Sequence, residues 1–476
     1  MKTLSADVAV VGAGAGGLSV ASGAAQLGLK VVLFERGEMG GDCLNHGCVP
    51  SKALLAAAAR AHALRTGSKF GIADVDPKID WAKVKAHVAG VIETIAPIDS
   101  QERFEGLGCT VVREHARFAD PRTLESDSVR VRARRIVIAT GARAAIPPIP
   151  GLAETPYFTN ETIFTAPEFP GRLIVLGAGP IGIELGQAFR RLGAEVIVIE
   201  AATALAGFDR DAAEPLLGAL RAEGVDLREA AKATKVAASA AGGVRVEIEG
   251  DAGAESLEGT HLLVAVGRKP QHDGLALDRG GVEANAKGIV VDAVLRSTTN
   301  RRVWAVGDAA GREQLTHVAG WHASAFVRSA LFKAATRADA APIPSAVYGD
   351  PELARIGLSE EEARARHGDK IRCVGAQFHD NDRAQAERDT AGFARIVVGP
   401  GARILGATVV GKGAGDLIQI VGLAMSARLS LRALTGAIAP YPTRGEIVKR
   451  SAGAFYTPVL FSKGTRRLVG VLQRIP

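Results

Sequence analysis

Cys43 and Cys48 lie in the run GGDCLNHGCVPSK, residues 40 to 52, and two thiols this close can cycle as a disulfide or share a metal ion. In a regular helix, residues five apart would be separated by ~7.5 Å of rise and point to different faces, beyond easy disulfide reach. The backbone between them must therefore bend. Gly47 supplies freedom and Pro50 lacks an N–H to donate, so a distorted first helical turn is predicted there. A thiolate near a helix start is stabilised by the dipole, which makes the pair a candidate reducible disulfide. A structural disulfide, half of a zinc site and two buried thiols are the competing readings. No second Cys or His pair at metal spacing occurs elsewhere, which weakens the zinc reading, and a structural bridge is unusual inside a cell.

The elements that must position these thiols belong to a chain that repeats itself once. Residues 12 to 35, GAGAGGLSVASGAAQLGLKVVLFE, align without a gap on residues 177 to 200, GAGPIGIELGQAFRRLGAEVIVIE. Each segment follows an apolar strand, Val8 to Val11 or Leu173 to Leu176, and each continues as a helix and a β-branched strand. The repeat opens on G-x-G-x-x-G at Gly12, Gly14 and Gly17, then at Gly177, Gly179 and Gly182, and closes on Glu35 or Glu200. In such a unit the first Gly permits a tight turn, the second lets backbone approach a pyrophosphate, and the third lets helix and strand pack closely. The closing carboxylate accepts both ribose hydroxyls. Two dinucleotide sites on one chain imply electron transfer between their ligands. Glu200 would repel a 2′-phosphate, and Ala201, Ala202 and Thr203 offer no Arg to neutralise one, which favours NADH over NADPH.

Length and composition agree with an α/β enzyme of about three domains. The 476 residues exclude a small stapled scaffold, and 47% apolar with 23% charged residues exclude disorder and coiled coil. The 56 Gly fall between apolar runs, as tight strand-to-helix turns require. A net charge of +7 comes from scattered basic residues, so no nucleic-acid patch follows, although a mild positive field would steer an anionic dinucleotide. Residues 8 to 29 carry no charge, yet six Gly with Ser19, Ser22 and Gln26 make that stretch too polar to span a membrane. Four Cys do not make a secreted disulfide framework, and a cytoplasmic location is expected.

The pattern G-G-x-C-x(4)-G-C-x-P-S-K between two dinucleotide fingerprints resembles the flavoprotein pyridine nucleotide-disulfide oxidoreductases, which include dihydrolipoyl dehydrogenase, glutathione reductase and mercuric reductase. Further motifs are IVIATGARAAIP around Thr140 and Gly141, LLVAVGRKP around Gly267, and VWAVGDAAG around Asp308. The resemblance implies two Rossmann-like domains, for FAD and for NAD, plus a C-terminal α+β dimerisation domain. It sets an FAD-binding domain at 1–150, an NAD-binding domain at 151–270, a central part completing the FAD site at 271–341 and an interface domain at 342–476. By the same resemblance Asp308 meets the flavin ribityl chain, Ala116 contacts FAD through its backbone, and Lys52 lies near the flavin and pairs with Glu184. NADH then delivers a hydride to one face of the flavin. Cys48 becomes the thiolate in charge transfer with the ring, and Cys43 the interchange thiol that meets the acceptor.

One departure limits the carry-over. Disulfide-reducing members place a His before Pro-Thr-x-x-Glu, acting from the partner subunit, whereas residues 441 to 446 read YPTRGE: Tyr441 replaces the His and Glu446 is kept. A phenol with pKa ~10 donates a hydrogen bond but is a poor base near neutrality, which speaks against fast turnover of lipoamide or glutathione. Tyr at this slot, TPYFT and ELGQAFRRLG bring the chain nearer the mercuric branch, yet no Cys follows Cys373 to hand over a metal. The expected function is therefore electron transfer from NADH through FAD and a Cys43–Cys48 disulfide to a thiol, disulfide or metal-ion acceptor, with no resident metal, in a homodimer. Mercuric ion and lipoamide are the alternatives within the class, and an FAD-containing redox sensor without turnover is the alternative outside it. His46, between the cysteines, is ordinarily a turn residue; because an unperturbed imidazole (pKa ~6.5) exchanges protons near neutrality, the alternative expectation is that it partly replaces the missing interchange His. In the C-terminal SKGTRRLVGVLQRIP, Leu468, Val469, Leu472 and Ile475 form one helical stripe apart from Arg466, Arg467 and Arg474. Packing against its own domain is the ordinary expectation for such a stripe, with a membrane-surface or partner contact as the alternative.

Overall fold

A computed structural model describes residues 1–240, 242–251, 253–340 and 342–475, so positions 341 and 476, the ends of two expected segments, lie outside the described residues. The chain divides into two compact units, one of residues 1–68, 72–201 and 228–341, the other of residues 69–71, 202–227 and 342–476.

In the first unit, strand Lys2–Val11 runs parallel to Val31–Phe34 and to Val129–Ile138, with Val11 opposite both Phe34 and Ile138. Cys109–Val112 extends the sheet beyond Val31–Phe34, and Val303–Ala305 pairs with Val129–Ile138 from the other side. Residues 8 to 10 are wholly buried, because a parallel strand covered on both faces needs a continuous apolar run. The pairing of Val303–Ala305 inserts the expected central segment into the first sheet. A second parallel sheet holds Arg172–Leu176 between Glu195–Ile199 and His261–Val264, and the antiparallel strands Ala231–Ala238, Val244–Gly250 and Gly253–Gly259 are inserted in the chain between those two outer strands. Strand Arg268–Pro270 returns to pair with Ala142–Ala144.

The second unit is built on an antiparallel sheet in the order Pro344–Val347, Leu353–Gly357, Arg403–Val410, Phe393–Gly399 and Arg372–Gln377. Helices Ala414–Ser426 and Glu446–Ala454 contribute Ile418, Val421, Ile447 and Val448 to its core, packed with Phe378 and Ile396. Helix Arg210–Ala222, which the sequence assigns to the NAD-binding segment, groups with this unit. Its start is held by Arg395, whose guanidinium lies 2.8 Å from Asp209 and 2.5 Å from Asp211. The last helix, Lys463–Leu472, buries none of its residues, so the expected packing of its apolar stripe against its own domain is not found. Among the described residues no helix is long and apolar enough to cross a membrane.

Candidate active site

The bend required between the cysteines is a break between two helices. Cys43 lies in the short helix Gly41–Asn45 and Cys48 opens the 18-residue helix Cys48–Arg65, with His46 and Gly47 as the hinge. Gly47 is needed for close approach, since a Cβ there would sit 3.3 Å from the Cα of Cys43 and 3.1 Å from the Asp42 carbonyl. Asn160 ties the bend by donating to the His46 carbonyl at 3.3 Å and to Asp42 Oδ1 at 3.4 Å. Pro50, which has no N–H to offer, stands in the first turn of the long helix, where none is required.

The two sulfurs are electrostatically distinct. Cys48 is lowered to about 6, first by a hydrogen bond from the Cys43 thiol, then by Thr316 and the Lys52 ammonium, against burial and the Asp42 carboxylate. Its Sγ lies 3.2 Å from Thr316 Oγ1. Cys43 is pushed far up, chiefly because it hydrogen-bonds to Cys48, and also by burial. Cys48 also opens the long helix, whose dipole favours a thiolate there. The reduced protein is therefore expected to show one thiolate per chain that disappears as pH falls through about 6, with the second thiol remaining protonated well above neutrality. Ultraviolet thiolate absorbance against pH checks this, and two equal titrations near the ordinary thiol range would refute it.

Lys52 is one turn beyond Cys48 on the same helix, and its Nζ lies 2.6 Å from Glu184 Oε2 on helix Pro180–Arg191. Glu184 is nearly buried and Lys52 is partly exposed, and the ammonium held in this pair is one of the charges that lower Cys48.

The two fingerprints fold alike. Gly12 has φ +105° and a Cβ there would meet the Ala139 carbonyl oxygen at 2.4 Å, while Gly177 has φ +101° and would meet that of Ala265 at 2.5 Å. Gly17 and Gly182 each press on the carbonyl of the first glycine, at 1.8 and 1.9 Å for an added Cβ. Around Gly14 and Gly179, by contrast, nothing lies closer than 3.8 Å, leaving the backbone open to a phosphate. Glu35 Oε2 accepts from the Ala13 N–H at 2.6 Å, and Glu200 Oε2 from the Ala178 N–H at 2.9 Å, so each acid is aimed at its own glycine loop. These cradles fit two dinucleotides. Thr140 donates its hydroxyl to the Gln271 carbonyl, and the Gly141 carbonyl accepts the Gln271 N–H at 2.8 Å. Ala116 is buried, and the Gly267 carbonyl accepts from the Ala145 N–H at 2.9 Å.

Sequence reasoning missed four residues here. Arg268 lies 3.0 Å from Asp42 and 3.9 Å from Asp308, and burial raises both acids while its charge opposes the rise. Thr316 touches Cys48, as described. His322 accepts the Gly307 N–H on Nδ1 at 3.2 Å, which steadies the turn bearing Asp308, and burial lowers it to about 4. Arg268 directly follows Gly267, and Asp42 directly precedes Cys43, so adjacency to a motif was the available signal; Thr316 and His322 carried none.

Tyr441 and Glu446 belong to the second unit, whereas Cys43 and Cys48 belong to the first. Tyr441 Oη donates to Asp382 Oδ2 at 3.0 Å, and that carboxylate raises the phenol further from any basic role. Glu446 Oε2 accepts the Thr443 N–H at 3.3 Å, closing the turn before its helix.

Two dinucleotide cradles flanking a differentiated dithiol define a two-cofactor redox flavoprotein. Residues 6–323 match the pyridine nucleotide-disulphide oxidoreductase family and residues 343–452 its dimerisation domain. The chain belongs to this family of enzymes, which use FAD together with a pyridine nucleotide. It is 38% identical over 465 residues to a mercuric reductase of Shigella flexneri, covering 94% of this chain and 80% of that one. It is 33% identical to a dihydrolipoyl dehydrogenase of Geobacillus stearothermophilus, covering 95% of this chain and 97% of that one. Among solved structures, the HOCl-induced flavoprotein disulfide reductase RclA of Escherichia coli superposes with a TM-score of 0.83 at 27% identity, over 94% of this chain and 99% of that one. A Cu(II) complex of the same reductase aligns comparably, with a TM-score of 0.82.

Proposed function

We propose that this chain is an NADH-dependent reductase whose acceptor is a soft metal ion held by Cys43 and Cys48, working as a cytoplasmic homodimer. The observation that carries the choice of acceptor is the hydrogen bond from Tyr441 to Asp382. At the family's acid-base slot it leaves a phenol that is already donating and hard to ionise, where exchange with a disulfide needs a base. Gly12, Gly14, Gly17, Glu35, Ala116, Thr140, Gly141 and Asp308 would hold FAD, which when bound relays the electron pair of a nicotinamide hydride to sulfur. Gly177, Gly179, Gly182, Glu200 and Gly267 would hold the nicotinamide dinucleotide. Cys48, already a thiolate at neutral pH, gives the ion its first sulfur; Cys43 gives the second and releases its proton as it binds. Thiolates select soft ions such as the mercuric ion, and two sulfurs suffice for a linear site. Relatives named mercuric reductase and a solved relative described as a Cu(II) complex support the same reading. Glu446 is positioned to hold Tyr441's loop in shape. Cytoplasmic work follows from a dithiol that must be re-reduced by an intracellular donor.

Steady-state NADH oxidation tests it. The specificity constant with thiol-complexed mercuric ion should exceed that with lipoamide by ~10-fold or more, and the reverse order would overturn the reading. The same experiment decides the dihydrolipoyl dehydrogenase alternative, which rests on a relative of that name at 33% identity.

Donor choice rests on Glu200, whose carboxylate stays at the glycine loop where a 2′-phosphate would have to approach. NADH should exceed NADPH in specificity constant by at least ~10-fold, equivalent to ~1.4 kcal/mol. Equal constants with the two donors would sink this claim.

A further inference from the structure

Beyond residue 452, where the match to the dimerisation domain ends, the chain forms a short helix, Thr457–Leu460, and the helix Lys463–Leu472. Neither buries a residue. Leu460, Phe461, Leu468, Val469, Val471 and Leu472 are between 47% and 62% exposed, an apolar surface far from ordinary for a water-facing helix. At ~100° per residue, Leu468, Val469, Val471 and Leu472 occupy one arc of about 160°, while Lys463, Arg466 and Arg467 occupy the other side. Arg466 and Arg467 stand at the two borders of that arc, where long side chains can lie along an apolar boundary and keep their charge in water. From residue 447 to 476 the sequence has six Lys or Arg and no Asp or Glu.

Charge decides what covers this face. Two copies meeting through it about a two-fold axis would set one cationic helix against another, at close range and without a counter-charge. A nucleic acid would use the cations and leave the apolar arc wet. An anionic bilayer satisfies both halves, headgroup phosphates meeting the cations while the apolar arc sinks to the acyl boundary. With ten residues the helix is ~15 Å long, so it can lie in the interface and cannot span it.

We propose that residues 457–475 form an interfacial anchor that holds this enzyme reversibly on the surface of an anionic phospholipid bilayer. The anchor is independent of the acceptor, and its test does not read turnover. The full-length, FAD-loaded protein is sedimented with vesicles of phosphatidylcholine alone and of phosphatidylcholine with phosphatidylglycerol. Partitioning onto the anionic vesicles should exceed that onto the neutral ones by at least ~10-fold and should be largely lost at ~0.5 M salt, where charges are screened within a few ångströms. R466E/R467E, which leaves the apolar arc intact, should lower anionic partitioning by ~10-fold or more, and L468D/L472D should lower it similarly. Flavin content and NADH-dependent dye reduction should be unchanged in both variants, which shows that the rest of the protein is folded. Equal sedimentation with both vesicle types, no sedimentation of loaded wild-type protein, or undiminished binding by R466E/R467E overturns the proposal. A loss of oligomeric state in L468D/L472D with vesicle binding intact would assign the face to a second copy of the chain, and overturns it as well.

Discussion

Replacement of Cys48 by Ser should abolish acceptor reduction, by ~10³-fold or more, because no other thiolate stands at the site near neutral pH. Cys48 is the sulfur held ionised, by the Cys43 thiol, by Thr316 at 3.2 Å and by the Lys52 charge, so its loss also removes the long-wavelength thiolate-to-flavin band of the reduced enzyme. Cys43→Ser should lose acceptor reduction equally but keep that band, since a Ser hydroxyl at 43 can still donate to the Cys48 thiolate. Cys43→Ala separates the two effects. Without a donor at 43, the largest cause of the lowered Cys48 value is gone, and the band should fade at a higher pH than in wild type. The sign follows from the thiolate being the charged form: anything that stabilises it moves its loss to lower pH. Anaerobic titration of each variant with NADH, followed by addition of the acceptor, reads all three outcomes. If both Ser variants reduce a disulfide or metal acceptor at the wild-type rate, the dithiol has been misassigned.

Lys52→Met should have the next largest effect, and it should appear in two places. The Cys48 thiolate loses a nearby positive charge, so its titration midpoint rises above about 6. Glu184, nearly buried, loses the partner 2.6 Å away, which costs about 1–2 kcal/mol once the screening available to the part-exposed Lys52 end is allowed for. Glu184→Gln should be milder, because an amide can still accept from the ammonium. Reduction by NADH, read as flavin bleaching in a stopped-flow instrument, should slow by ~10²-fold in Lys52→Met, and Lys52→Arg should recover part of it by restoring the charge. A Lys52→Met enzyme with an unmoved thiolate titration would show that Lys52 does not act on the sulfurs.

The parts of this protein legible in its sequence are those in which function demands a residue type at a fixed local spacing. The two glycine fingerprints are such a case, since each glycine is required by backbone contacts within one strand-turn-helix unit, and Gly12 and Gly177 adopt nearly the same φ. The bend between Cys43 and Cys48 was legible for the same reason: helix geometry alone forbids the pair without it, although not that it would be a complete break with Gly47 against Cys43. Thr316 and Cys48 are 268 positions apart, and no local rule links such a pair. The same holds for Arg268, which stands between Asp42 and Asp308 only because strand Arg268–Pro270 pairs with Ala142–Ala144.

Residue types and spacings by themselves marked the two glycine fingerprints, the close cysteine pair and the absence of a His at position 441. The family resemblance already assigned the thiolate to Cys48; the tertiary structure supplies the physical cause, which is first the hydrogen bond from the Cys43 thiol and then Thr316 and the Lys52 charge beside Cys48. Only the tertiary structure decided that Tyr441 is occupied as a donor to Asp382, a residue 59 positions away. It also decided the state of the final amphipathic helix. Periodicity shows that such a helix has an apolar face, but whether its own domain covers that face depends on what the fold places beside it, and here nothing among the described residues buries it.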